Sequence, residues 1–315
     1  MSVERPQGAG GAFECILNAE RIGSRRGIAL RPENRLESLA MSPLPLAVID
    51  VLAKEEKLRR EVAGLPSVIV ALSGGADSAY LAWLAHEALG TKALAVTAVS
   101  ASLPESERRG VEEFVRQFGL RHEFIQTDEL ANPLYVVNEP DRCYHCKDEL
   151  FAKLGELARS RGIAAVAYGV NVDDQGDFRP GQQAAREHRV LTPLLDAALT
   201  KAEIRELSRR AGLPTWDKPA AACLASRIAH GIEVTDDNLK QVERGEEALR
   251  ALGFKQVRVR YHGDLVRIEI APEELSRALT PAMARQFAEI FKGLGFKFVT
   301  LDLEGYRQGS LNPQR

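Results

Sequence analysis

SVIVALSGGADSAYLAWLAHEALG, residues 67–90, decides the fold. Its first part, SVIVALS, is a short β-branched run with no charge, which suits a strand buried on both faces of a parallel sheet. Its last part has helical spacing, with Ala79, Leu81, Leu84, Ala85 and Leu89 available for a buried face and Gly90 as the stop. Between them stands Ser73-Gly74-Gly75-Ala76-Asp77-Ser78. Gly74 and Gly75 allow a tight turn in which successive N–H groups point at one anion. The helix that starts near Asp77 adds its free N–H groups and the positive end of its dipole. Ser73 and Ser78 can donate hydroxyls to phosphate oxygens, and Asp77 can help hold Mg²⁺ or position the loop. The string lacks the lysine of a Walker loop and the spacing of a dinucleotide fingerprint, so those two ways of holding a nucleotide are excluded.

Outward from this loop the chain alternates strand and helix. ALAVTAVS, HEFIQTD and IAAVAYGVN read as three further strands, separated by ERRGVEEFVRQFG and CKDELFAKLGELARSRG as helices. Such alternation predicts an α/β fold with a parallel sheet covered by helices. Gly169, Asn171 and Asp174 then fall at the carboxyl end of the fourth strand, where ligands collect in open α/β sheets. Past residue 220 the texture changes. VRVRYHGDLVRIEI is two period-2 runs around His262-Gly263-Asp264, a hairpin, and it leads into a helical stretch and a closing strand. The expected organisation is a leader or early start codon at 1–40, a nucleotide domain at 41–228 and a small α+β domain at 229–315.

Bulk composition narrows the class. The 315 residues carry a formal net charge of −2, with 45% hydrophobic and 27% charged residues, the balance of a soluble globular protein. No global positive field points to nucleic acid. No apolar run is long enough to span a bilayer and no signal peptide is present, so a cytoplasmic protein is expected. Four cysteines in such a compartment are thiols, ligands or catalysts rather than disulfides. Cys15 lies in the leader and takes no role. Cys143 and Cys146 form a C-x-x-C in RCYHCKDELF at the start of a helix, where Arg142, Lys147 and the helix dipole would favour thiolate. With the distant Cys223 they make three thiols. That is an incomplete zinc set unless His145 or water completes it, or a match for an iron–sulfur cluster with one open iron.

The S-G-G-x-D-S string after a buried strand resembles the PP-loop ATP pyrophosphatases, an adenine nucleotide α-hydrolase-like (HUP-like) fold. The segments NEPDRCYHCK, YGVNVDDQGDFRPG, LTPLLDAALTKAEIRELSRRAGLPTWDKPAAACLASRI and VRVRYHGDLVRIEI narrow the resemblance to the LarE family. LarE proteins are ATP-dependent sulfurtransferases of nickel-pincer nucleotide cofactor biosynthesis. The resemblance runs from Met41 to the C-terminus. It implies adenylation of a carboxylate of pyridinium-3,5-biscarboxylic acid mononucleotide, release of pyrophosphate, and displacement of AMP by sulfur. It also implies Mg²⁺ at Asp77 and Asp174, and a nucleotide pocket completed by Gly169, Asn171 and Arg179. Ser226, Arg227, Arg258 and Arg260 would take the substrate phosphate, and Glu246 and Glu269 would serve as acid/base or orienting carboxylates. The alternating Arg and Glu of the hairpin also fit a plain solvent face. Family members with a single cysteine, equivalent to Cys223, sacrifice its sulfur. The additional Cys143 and Cys146 resemble the three-cysteine branch, which holds a [4Fe-4S] cluster as sulfur carrier. An external sulfide source and a homo-oligomer, with a hexamer among the possible assemblies, are implied partners.

Three other readings share parts of this pattern. A tRNA thiolase of the TtcA type also joins a PP-loop to cluster cysteines, but predicts a basic RNA-binding surface. An amide-forming PP-loop synthetase leaves the cysteines without a task. A stress-protein-like nucleotide sensor would bind ATP without releasing pyrophosphate.

Overall fold

The computed structural model describes residues 46–176, 180–219 and 222–307. The expected leader at 1–40, Cys15 and Arg179 lie outside them. The described residues belong to one compact unit. Within it a four-stranded, all-parallel sheet comprises β1 (Val68–Ala71), β2 (Ala93–Val99), β3 (His122–Gln126) and β4 (Ala165–Tyr168), in the order β3-β2-β1-β4. This is the parallel α/β sheet that the strand–helix alternation predicts.

Period-2 alternation explains how both faces of β1 come to be covered. Val68 and Val70 join one apolar core with α1 (Leu46–Ala63), α2 (Ala76–Leu89) and α6 (Lys201–Arg210). Ile69 points the other way, into a second core with Leu94, Val96 and the Leu150, Phe151 and Leu154 stripe of α4 (Arg142–Arg161). This half also carries α3 (Glu105–Gln117) and α5 (Gly181–Glu187), besides two four-residue helices at Pro133–Val136 and Pro193–Asp196. Gly162 closes α4 in the left-handed conformation, at φ 65°. Thr200 opens α6 with a capping box to Glu203.

A second sheet, ordered β5-β6-β7, follows. β5 (Val257–His262) and β6 (Leu265–Ile270) form the expected hairpin, with Gly263 at φ 70° in its turn. β7 (Phe298–Leu301) adds in parallel to β6. Helices α7 (Asp236–Ala251) and α8 (Pro281–Gly293) cover this sheet and build a third core around Phe254, Phe287 and Phe291. Among the described residues no helix is long and apolar enough to cross a membrane.

The strand order sets the position of the site. From β1 the chain winds outward through β2 and β3, then returns to the other side of β1 as β4. The carboxyl ends of β1 and β4 therefore flank a topological switch point, where a crevice opens.

Candidate functional site

The SGGADS loop leaves β1 at that switch point. Gly74 sits at φ 78°, and a Cβ there would stand 2.9 Å from Val111 Cγ2, so this position needs glycine twice over. Gly75 is different. It is the N-cap of α2 at φ −79°, where an added Cβ would meet nothing closer than Ser73 Oγ at 3.7 Å. Only Gly74 supplies the conformational freedom expected of both; Gly75 leaves the first turn of α2 without a side-chain cap, its N–H groups open. The two serines hold the loop closed. Ser73 N–H donates to Ser78 Oγ (3.1 Å), the two hydroxyls lie 3.0 Å apart, and Ser78 Oγ donates to Gly75 O (3.1 Å).

Gly169, just past β4, lies so close to this loop that a Cβ would come within 2.8 Å of Ser78 N. Asn171 is buried and shapes the following turn: its N–H donates to Asp174 Oδ2 (3.1 Å) and its Oδ1 accepts from Asp173 N–H (2.9 Å). Asp77 forms an ion pair with Lys201 through Oδ2, while its Oδ1 is buried with no hydrogen-bond partner among the described residues. An orphaned carboxylate oxygen beside open helix N–H groups suits a cation that accompanies a phosphate chain.

A cavity of about 550 Å³ joins the loop to the cysteines. Ser73, Ser78, Gly169 and Asp174 line it together with Cys143, Cys146 and Cys223. Cys143 and Cys146 occupy the first two turns of α4, and Cys223 precedes a short 3₁₀ turn, Leu224–Arg227. The thiols of the pair are not held as thiolates. Loss of surrounding water is the largest effect on Cys143 and pushes its thiol up, with Cys223 adding to the shift; Arg142 and Lys147 pull the other way and lose. Burial pushes Cys146 up as well, and its Sγ donates to Glu129 Oε1 at 3.5 Å. Arg142, expected to help, is buried and turns its guanidinium to Ala225 O (3.0 Å) and to Asn138 Oδ1. Among the described residues no three His, Cys, Asp or Glu side chains close on a single metal ion.

The hairpin arginines and glutamates do not form a solvent face. Glu246 and Glu269 are buried, at 1% and 0% exposure, as are Arg227 at 3% and Arg260 at 5%. Arg227 Nε donates to Glu246 Oε1 (2.9 Å), and Arg260 Nη2 donates to Glu269 Oε2 (2.8 Å). Burial alone would raise Glu246. Arg227, with Arg258 and Arg250, outweighs it and holds the carboxyl below its ordinary range. Glu246 is thus held as a carboxylate paired with Arg227. From that pair Arg227 Nη1 reaches Cys223 O (2.9 Å) and Ala222 O, while Ser226 Oγ donates to Cys223 O (2.7 Å). Arg260 Nη1 donates to Ser226 O (3.2 Å). Arg258 stacks over the Tyr306 ring at 5.0 Å. Glu246→Ala leaves Arg227 buried without its partner and is expected to cost about 3–5 kcal/mol of stability, read from urea unfolding. A loss below about 1 kcal/mol would show that water reaches the arginine and replaces the carboxylate.

Several residues of this region carry no local sequence signal. Lys201 and Lys218 reach the phosphate loop from far along the chain, on Asp77 and on Gly74 O respectively. Glu129, 7% exposed, lines the cavity beside Cys146. Tyr135 is buried close to the cysteines; burial first, and then nearby Cys223, push the pKa of its hydroxyl up.

Comparison with known proteins agrees with this geometry. A family model described as NAD synthase matches residues 51–174. An uncharacterized protein of Synechocystis sp. is 44% identical over 260 residues, covering 82% of this chain and 97% of that one. A glutamine-hydrolyzing GMP synthase component of Pyrococcus horikoshii is 31% identical over 174 residues, 51% of this chain and 56% of its own. The pyridinium-3,5-bisthiocarboxylic acid mononucleotide synthase of Lactiplantibacillus plantarum is 34% identical over 262 residues, 82% of this chain and 94% of that one. With a phosphate loop at the switch point and likeness to that synthase over nearly its whole length, the chain belongs to the LarE family of PP-loop proteins.

Proposed function

We propose that this protein is an ATP-dependent sulfurtransferase acting on pyridinium-3,5-biscarboxylic acid mononucleotide. The observation that carries the reading is a cavity lined by Ser73 and Ser78 together with Cys143, Cys146 and Cys223. In the first half-reaction a substrate carboxylate oxygen attacks the α-phosphorus of ATP. The bond to the β-phosphate breaks and pyrophosphate departs. In the second, sulfur attacks the activated carboxyl carbon, the bond to AMP breaks, and a thiocarboxylate remains. Activation is needed because a carboxylate oxygen is otherwise too poor a leaving group at neutral pH.

The loop N–H groups, Ser73 and Ser78 take the phosphates, with Asp77 and Asp174 as the carboxylates for Mg²⁺. Gly169 and Asn171 complete the nucleotide pocket. The substrate phosphate falls to Arg258 and Arg260 with Ser226 and Arg227 beside them. Arg260 supports this with a buried Nε that has no partner among the described residues. Cys143, Cys146 and Cys223 suit a [4Fe-4S] cluster, since each thiolate then binds a different iron and the three need only face one space. Bound there, a cluster would supply sulfide at its open iron. The thiols of Cys143, which is exposed, and Cys146, which is half-buried, would give up their protons on binding it.

The test follows pyrophosphate and thiocarboxylate together, with ATP, Mg²⁺ and the pyridinium substrate. Asp77→Ala is expected to lower both by at least about 100-fold, the several kcal/mol attached to phosphate-bound metal. Pyrophosphate release indifferent to the pyridinium compound, or a tRNA gel shift that vanishes with salt, would sink the proposal. Anaerobically purified protein without iron, in which Cys223 becomes dehydroalanine on turnover, would replace the cluster by a sacrificed cysteine sulfur.

A further inference from the structure

The phosphate loop contains no lysine, but Lys218 is brought to it from the segment that leads into Cys223. Its Nζ donates to Gly74 O (3.0 Å) and to Glu107 Oε2 (2.7 Å). The ion pair is largely shielded, at 25% and 19% side-chain exposure. The backbone of Lys218 is held too, its carbonyl accepting from Arg205 Nη2 of α6 (3.0 Å). On the other side of Cys223, Leu224 N–H donates to Ser102 O (2.8 Å), and Arg227, fixed by Glu246, grips Cys223 O. Cys223 therefore lies between two cationic anchors. Arg227 ties it to the core of the second sheet, and Lys218 ties it to the phosphate loop and α3.

The two ends of the Lys218 tie are unequal. The loop keeps its shape through its own bonds among Ser73, Gly75 and Ser78, and Lys218 touches it at a carbonyl rather than at an N–H that would face an anion. Without Lys218 the loop retains its contacts. The chain before Cys223 loses its link to the place where the adenylate forms.

We propose that Lys218 is a positioning residue that registers Cys223 against the phosphate loop, so that sulfur is presented to the carboxyl group activated there. This rests on the sulfurtransferase reading above. An error of about 1 Å between reacting groups costs on the order of 100-fold, so the tie matters for the second half-reaction more than for the first.

The experiment uses full-length wild type, K218M, K218R and E107Q. Pyrophosphate and thiocarboxylate are measured in the same reactions. In parallel, iodoacetamide labelling of Cys223 is followed by peptide mass spectrometry on the metal-stripped full chain, with and without α,β-methylene-ATP and Mg²⁺. K218M is expected to lose roughly 30- to 100-fold in thiocarboxylate while pyrophosphate release stays within about threefold. K218R should recover most of the loss and E107Q should show a smaller one. Labelling of Cys223 should respond to the nucleotide in wild type and not in K218M. A merely structural lysine would lower both products by one factor, and that result, or an unchanged labelling response in K218M, overturns the proposal. Wild type that releases no pyrophosphate sinks the sulfurtransferase reading instead, and the labelling response alone then decides the tie.

Discussion

Cys223→Ala is expected to leave substrate-dependent pyrophosphate release within about threefold of wild type while thiocarboxylate formation falls below detection. The split follows from which atoms of Cys223 serve which purpose. Its carbonyl oxygen accepts from Arg227 Nη1 and Ser226 Oγ and so anchors the turn that follows. Alanine keeps that carbonyl. The side chain contributes one sulfur to the cavity wall and packs against the second sheet's core. Losing so small a group from a half-buried position costs little stability. Adenylation should therefore survive and sulfur transfer should not. Equal loss of both products would mean that Cys223 helps bind the nucleotide or pyridinium substrate, and normal thiocarboxylate would remove it from the sulfur path.

The second large effect is expected at Gly169→Ala. The added carbon would stand 2.8 Å from Ser78 N, 2.9 Å from Asp77 C and 3.0 Å from Ser78 Cα. All three are backbone atoms, so no rotamer change relieves the contact; the end of β4 and the start of α2 must separate. Overpacking of this kind costs about 1–3 kcal/mol. The functional cost is larger, because the atoms pushed aside belong to the turn whose N–H groups face the phosphates. Nucleotide affinity is expected to fall by at least about 30-fold, following the steep dependence of such sites on placement. Gly75→Ala is the matched control: its Cβ meets only Ser73 Oγ at 3.7 Å, so its stability should change far less than that of Gly169→Ala. Calorimetric titration with ATP and thermal unfolding of the two variants would check this. Equal affinities for wild type and Gly169→Ala would show that the crevice opens without disturbing the loop.

The sheet was legible because burial on both faces leaves a plain signature. Val68-Ile69-Val70 is apolar at every position, and a turn string and a helix follow it directly. The gathering of the cysteines was only half legible. Cys143 and Cys146 share a helix end, but Cys223 reaches them through a fold that brings its turn back to the cavity, and no local spacing encodes that return. The ionisation expected for the pair was reversed, because sequence displays the neighbouring cations and hides the water lost around the sulfurs. In the hairpin, period 2 correctly gave the strands but could not say what covers each face. Arg260 and Glu269, which also read as part of a solvent row, instead form a buried pair. The lysines on the loop were invisible for the same reason: Lys201 and Lys218 pair with residues from another part of the chain, and pairing at that range leaves no periodicity.

The cavity draws on two stretches of chain, with a consequence for how such a site can change. Residues 51–174, which hold the phosphate loop together with Cys143 and Cys146, match a family model described as NAD synthase, whereas Cys223 comes later in the chain. Under the proposed reading, the chain around Cys223 can then vary without touching the loop. Substitutions at Gly74 and Gly169 are expected to disturb that loop whichever group meets the nucleotide, since the first position has a positive φ and the second lies against backbone.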